Sequence, residues 1–253
     1  MREHPLNPAI TRLRAHIAQI EGGGAHTSGV LPFDIPELDR RLPGGGLALG
    51  CLHEVAGGGN GAINGAAAAS FAAGIAARLP GKVLWCVAHQ DLFAPGLEQA
   101  GLFPDRVIHV ETGDDRTVLA CMEEGLRHGG LGAVVGDVPK LPMTASRRLH
   151  LAARESGTMG IALRRWRRQA EASDFGQPTA AMTRWRVSVL PSAPLPVPGV
   201  GRPRWLVELI RARAGESLDI ELEACDGTGR LGVPAELADG SAAAAGWRHS
   251  AAG

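Results

Sequence analysis

The chain has 253 residues, 45% of them apolar, and its 26 basic and 26 acidic side chains balance to zero net charge. That is enough apolar volume for one large α/β core. No apolar run reaches the roughly eighteen residues of a membrane span, and the opening MREHPLNPAI lacks the apolar centre of a secretory signal.

Cys51, Cys86, Cys121 and Cys225 are far apart and form no C-x-x-C pair, so neither a zinc site nor a disulfide framework is expected. The nine histidines show no metal-binding spacing either. A cytoplasmic protein with buried free thiols fits this pattern. The charge is unevenly spread. Between residues 147 and 213 thirteen arginines face four acids, Glu155, Glu171, Asp174 and Glu208. Lys82 and Lys140 are the only lysines.

The first segment, residues 1–21, reads as a helix. Asn7 can cap it and Pro8 can sit in its first turn. Ile10, Leu13, Ile17 and Ile20 recur at helical spacing, with Arg12, Arg14, His16 and Gln19 between them. GGGAHTSG, residues 22–29, reads as a linker. A helix tethered in this way either packs on its own core or docks on another chain, and both readings stay open.

Residues 30–237 read as the core. Strands are expected at 51–56, 83–88, 106–111, 131–137 and 160–163, with helices at 64–79, 95–100, 114–128 and 143–156. VLWCVA and LGAVVGD are continuous apolar runs, as expected of strands buried on both faces. Asp114 is the expected cap of its helix. The alternation implies a mostly parallel sheet flanked by helices. After residue 183 the pattern changes. Residues 184–190, 204–214 and 217–224 read as antiparallel strands added at one edge, with a turn at 226–229. The Pro-rich PSAPLPVPGVGRP joins the first two. The tail, 238–253, is small and polar, with Trp247 its only large residue.

GGGNGAIN, residues 57–64, stands between a strand and a helix, where a phosphate-binding loop would read G-x-x-x-x-G-K-[ST]. In that register Gly57 keeps the first glycine. Gly61 precedes Ala62 at the second, Ile63 stands for the lysine and Asn64 for the Mg²⁺-binding hydroxyl. No shift of register brings Lys82 or Lys140 into the loop. A charge-assisted hydrogen bond is worth roughly 1.5–3 kcal/mol, and Ala at a position needing positive φ costs about 1 kcal/mol more. Nucleotide affinity is therefore expected to fall by about two to four decades, and catalysis by more, because the lysine and Mg²⁺ stabilise charge that grows in the transition state. The glycines leave weak ATP–Mg²⁺ binding open, but no cofactor is required.

With these elements in order, the chain resembles a RecA-type core. LPFDIPELDRRLPGGGLALGCLHEVAG is similar to the approach to that core, with Leu38–Asp39, Gly45–Gly46–Leu47 and Gly50 at the matching places. LGAVVGD resembles the Walker B strand and puts Asp137 at the Mg²⁺-supporting aspartate. AHQDLFAPGLEQAGLFPDRV resembles the segment holding the catalytic glutamate of recombinases, but here His89 and Gln90 stand in its place.

The distal TRWRVSVLPSAPLPVPGVGRPRWLVELIRARAG and EACDGTGRL give a closer match to the ImuA family of RecA-like, SulA-related proteins. The resemblance implies an accessory role in SOS-induced, error-prone translesion DNA synthesis. It also implies cytoplasmic partners. These are ImuB, a Y-family polymerase-like protein, and an error-prone replicative-type polymerase, with RecA and single-stranded DNA as further candidates. It implies no membrane, and association with the nucleoid after DNA damage.

A basic stretch completes the inventory. Arg164, Arg165, Arg167 and Arg168 surround Trp166, and Arg184 and Arg186 flank Trp185. Arginine neutralises phosphate and tryptophan stacks on unpaired bases, so single-stranded DNA is one expected ligand. An acidic protein surface is another. A solvated basic face with tryptophan anchored in the core is the third reading.

The Lys-free loop and the missing glutamate favour a non-catalytic adaptor, with Ile10, Leu13, Ile17 and Ile20 as one docking surface. A divergent active ATPase or filament former, with its positive charge supplied from elsewhere, is the alternative. A SulA-like cell-division inhibitor is a third.

Overall fold

The computed structural model describes residues 29–59, 61–166, 172, 175–192, 199 and 201–234. The N-terminal helix with Ile10, Leu13, Ile17 and Ile20, the tail from residue 238, and Arg167 and Arg168 lie outside the described residues.

A short lead-in comes first. β1 (Val30–Leu31) pairs antiparallel with β2 (Leu47–Ala48) around the short helix α1 (Pro36–Asp39). Asp39 Oδ1 accepts the Phe33 N–H at 2.8 Å and so closes this loop.

The main sheet then builds up. Its first strands and helices are β3 (Leu52–Gly57), α2 (Ala62–Ala77), β4 (Val83–Val87), α3 (Ala94–Gln99), β5 (Val107–Glu111) and α4 (Asp115–His128). β6 (Ala133–Asp137), α5 (Met143–Ser156), β7 (Met159–Arg164), β8 (Thr183–Leu190), β9 (Arg204–Ala212) and β10 (Leu218–Glu223) follow. The eight strands lie in the order β10-β9-β8-β3-β7-β6-β4-β5.

From β5 across to β8 every pairing is parallel. β9 and β10 extend the sheet antiparallel. β8 was expected to be an antiparallel strand. It runs parallel to β3, pairing His53 with Thr183 and Gly57 with Val187, and is antiparallel only to β9. The long connection after β7 allows this, since β8 pairs on the side of β3 opposite β7.

α2 is alanine-rich, which favours helix, and its small side chains let it settle close on one face of the sheet. It is buried on nearly every side. Phe71 is its large residue, with ring centroids 6.0 Å from Phe33, 5.7 Å from Trp185 and 6.4 Å from Trp205. α4 and α5 cover the other face, where Val118, Met122, Leu126 and Leu149 meet Leu52, Val134 and Ala162. Asp114 caps α4 as expected, its Oδ1 accepting the Thr117 N–H at 3.0 Å. Left-handed Gly129 and Gly157 end α4 and α5. Among the described residues no helix is long and apolar enough to cross a membrane.

β3, β4, β6 and β7 are parallel, so their carboxyl ends, at Gly57, Val87, Asp137 and Arg164, share one edge of the sheet. Open parallel sheets place their ligand sites at that edge.

Candidate phosphate-loop site

Four segments meet at the carboxyl edge. The glycine loop leaves β3 at Gly57 and enters α2 at Ala62. In a phosphate loop the backbone N–H groups point at the anion. Here two of them are engaged within the protein. The Gly58 N–H donates to the Val187 carbonyl at 2.8 Å, and the Gly61 N–H donates to the Trp166 carbonyl at 3.3 Å. Gly61 has φ 121°, a conformation that suits glycine. Asn64 accepts the Val189 N–H through Oδ1 at 2.9 Å. The loop is thereby laced to β8 and to the end of β7. Ile63, at the lysine position, is 72% exposed and carries no charge to the site.

Asp137 ends β6, where the Mg²⁺-supporting carboxylate was expected. Arg165 lies against it. Its Nε donates to Asp137 Oδ2 at 2.9 Å, and its Nη2 reaches both the same oxygen and Asp91 Oδ1, the latter at 2.7 Å. Burial opposes the Arg165 charge, but Asp137 and Asp91 outweigh it and hold the guanidinium above the ordinary arginine range. The arginine stem crosses the first turn of α2, and a Cβ on Gly65 would touch Arg165 Cδ at 3.5 Å.

The remaining space is a cavity of about 170 Å³ lined by His89, Asp91, Asp115, Asp137 and Arg165. Among the described residues no group of three or more His, Cys, Asp or Glu could hold a metal ion. The donor set for magnesium nucleotide is incomplete. The lysine is absent, two loop N–H groups are engaged, and a guanidinium lies on the carboxylate that would support the metal.

The basic stretch is placed differently from an exposed stripe. Arg164 and Arg165 are neighbours at the end of β7 and take opposite directions, as alternation along a strand requires. Arg165 goes to Asp137. Arg164 is fully buried and bonds Glu54 Oε1. Arg184 is also buried and donates to Glu54 Oε2 at 2.8 Å. Thr179 adds a hydroxyl to the same oxygen at 3.1 Å.

Trp166 is buried too. Its Nε1 donates to the Pro139 carbonyl at 3.1 Å, and its ring packs edge-on against Phe175 at 5.1 Å. Arg186 pairs with its cross-strand neighbour Glu208, its Nε donating at 2.6 Å. The expectation that Arg164, Trp166 and Arg184 lie on a binding face is therefore corrected. A shared carboxylate in β3 draws both arginines inward, and the tryptophan follows Arg164 into the core. Arg167 and Arg168 lie outside the described residues.

Glu54 and Asp91 were absent from the sequence reading. Glu54 had a signal: a carboxylate inside the strand run LHEVAG has no business there without cationic partners. Its neighbour His53 is held neutral. Burial takes its imidazole down to about 4. Its Nε2 donates to the Ala48 carbonyl at 2.9 Å and its Nδ1 meets the Thr183 hydroxyl at 2.7 Å, while Thr183 Oγ1 accepts from Trp185 Nε1 at 2.7 Å. His150, on α5, is also brought to about 4, by burial first and then by Arg213 and Arg154.

No protein-family model matches the chain. Two proteins described as Protein ImuA, from Caulobacter vibrioides strains NA1000 and CB 15, are each 39% identical to it over 206 residues, covering 78% of this chain and 84% of the relative. Among solved structures, the crystal structure of the RadB recombinase superposes with a TM-score of 0.51 at 16% identity, covering 75% of this chain and 93% of that one. At that identity the likeness is one of fold, and the fold is RecA-like.

Proposed function

The chain belongs to the ImuA family, and we propose that it acts as a non-catalytic, RecA-like accessory protein in SOS-induced, error-prone translesion DNA synthesis. In this reading the RecA-like scaffold is kept, nucleotide turnover is lost, and the protein serves as an adaptor for polymerase subunits. ImuB and an error-prone replicative-type polymerase are the proposed partners, with RecA and single-stranded DNA as further ones.

The observation that carries the reading is the pair of Arg165 with Asp137. A phosphoryl-transfer site needs a lysine and a divalent cation to neutralise growing charge. Here an internal guanidinium lies on the Walker-type carboxylate, the lysine is Ile63, and His89 and Gln90 replace the general base. The glycine loop is spent on holding β3, β7 and β8 together. Its role in this reading is architectural.

The experiment is a phosphate-release assay with ATP, with and without single-stranded DNA. The adaptor reading expects no turnover. A rate above about 1 per minute, within reach of slow NTPases, overturns it in favour of a divergent ATPase.

A further inference from the structure

A second groove lies on the α5 flank of the sheet and shares no lining residue with the phosphate-loop cavity. It has a volume of about 360 Å³. Met143, Leu151 and Pro178 form its apolar part, and Arg147, Arg211 and Arg213 stand around it. Leu151 is 57% exposed and adds apolar surface to the groove. Arg147, Leu151 and Arg154 follow one another at i, i+4 and i+7, so all three lie along one stripe of α5.

The arginines of this groove differ from those near the sheet's carboxyl edge. Arg164, Arg165, Arg184 and Arg186 all close on carboxylates. Among the described residues Arg147, Arg154, Arg211 and Arg213 form no ion pair. Arg211 donates only to the Thr179 carbonyl, at 3.2 Å. Glu155, one turn past Leu151, is the acid nearest to this stripe in sequence, and it pairs with none of the four. His150, which lines the groove, accepts the Leu52 N–H on Nδ1 at 3.4 Å and is held neutral by burial first and by the nearby arginines second.

We propose that this groove binds an acidic peptide segment of a partner protein, with one apolar side chain of that segment seated against Leu151 and its carboxylates on Arg147, Arg211 and Arg213. The inference rests on the adaptor reading and names the chemistry of one partner contact. Charge complementarity fixes the sign of the occupant. The apolar floor fixes its class. Base stacking needs an aromatic platform, and among the described lining residues the only aromatic ring is the imidazole of His150, which is buried. A groove of this volume suits one or two side chains.

The test uses the full chain and three labelled probes: a short peptide with aspartates and glutamates on both sides of a single leucine, the same peptide with serine for leucine, and oligo(dT). Arg147 and Arg213 are exposed, so the double variant Arg147→Glu/Arg213→Glu leaves the core untouched. The expected result is saturable binding of the leucine peptide, at least about ten-fold weaker in that variant, since opposed charges across an interface are strongly disfavoured. Binding should also be several-fold weaker for the serine peptide and for Leu151→Ser. Peptide binding that none of these changes alters overturns the proposal. So does an oligo(dT) affinity that the double variant abolishes while peptide binding is unaffected, which would make the groove a nucleic-acid face. ATP turnover separates this from the adaptor reading. Turnover overturns the adaptor and leaves the peptide result standing. Failure of the peptide with no turnover overturns only the groove.

Discussion

The Nε of Arg165 lies 2.9 Å from Oδ2 of Asp137, and each side chain is only 15% exposed. This couples the end of β7 to the end of β6 at the carboxyl edge of the sheet. The guanidinium is a cation that belongs to the chain, so the carboxylate is neutralised without any ligand.

Replacing that cation should remove the guanidinium that Asp137 and Asp91 share. Loss of one partner of a buried pair costs about 3–5 kcal/mol, and the partial exposure here lowers the expected cost of Arg165→Ala to about 2 kcal/mol. A divalent cation should then recover part of it. At about ten times its dissociation constant a ligand adds roughly 1.4 kcal/mol. Thermal melts with and without about 10 mM MgCl₂ should thus show a stabilised variant and an indifferent parent. An equal response in both would mean that Arg165 does not stand in for the metal.

Restoring the lysine alone should fail. Ile63→Lys brings a charge to the loop, but the Gly61 N–H stays with the Trp166 carbonyl and Arg165 stays on Asp137. Titration with labelled ATP should find no micromolar binding in this variant. Micromolar binding would show that the missing lysine was the whole obstacle and that the internal contacts yield readily.

The buried triad should be intolerant at its centre. Glu54→Gln leaves Arg164 and Arg184 sharing a neutral amide inside the core, and urea unfolding should register a loss of about 3–5 kcal/mol. Arg184→Met keeps the Glu54–Arg164 pair and should cost less. If the two variants are equally destabilised, the carboxylate is not the hub that its contacts describe.

Acid should weaken the fold through the histidines. His53 titrates near 4 when folded and near 6.5 in an unfolded chain. Between those values the unfolded state binds the extra proton, so stability is full above about pH 6.5 and declines as pH falls toward 4. For His53, buried to 1% exposure, the loss at the bottom of that window is about 3 kcal/mol. His150 shifts in the same direction. His150→Gln should therefore flatten the slope of unfolding free energy against pH in this window, by up to about 1.4 kcal/mol per pH unit. An unchanged slope would place the His150 proton elsewhere.

Much of the fold was legible in the chain. VLWCVA and LGAVVGD carry their burial on both faces as unbroken apolar runs, and β4 and β6 lie inside the sheet. Met143–Ser156 was read to the residue. Asp114 announced its helix because a capping side chain acts within a few residues. The loop was legible too, since a missing lysine in a chain with two lysines needs no coordinates to notice. The direction of β8 was not, because strand pairing depends on where a long connection returns, and no local pattern records it.

The fate of the arginines marks the boundary. The sequence by itself determined that the phosphate loop lacks its lysine and that the core is a mostly parallel sheet, because each is a property of residue type and short-range period. Only the tertiary structure decided which arginines stay at the surface. Arg164 and Arg184 find Glu54 across separations of 110 and 130 residues, and Arg165 finds Asp137 across 28. A guanidinium is buried when a carboxylate meets it in the same low-dielectric space, and the folded sheet alone sets that distance.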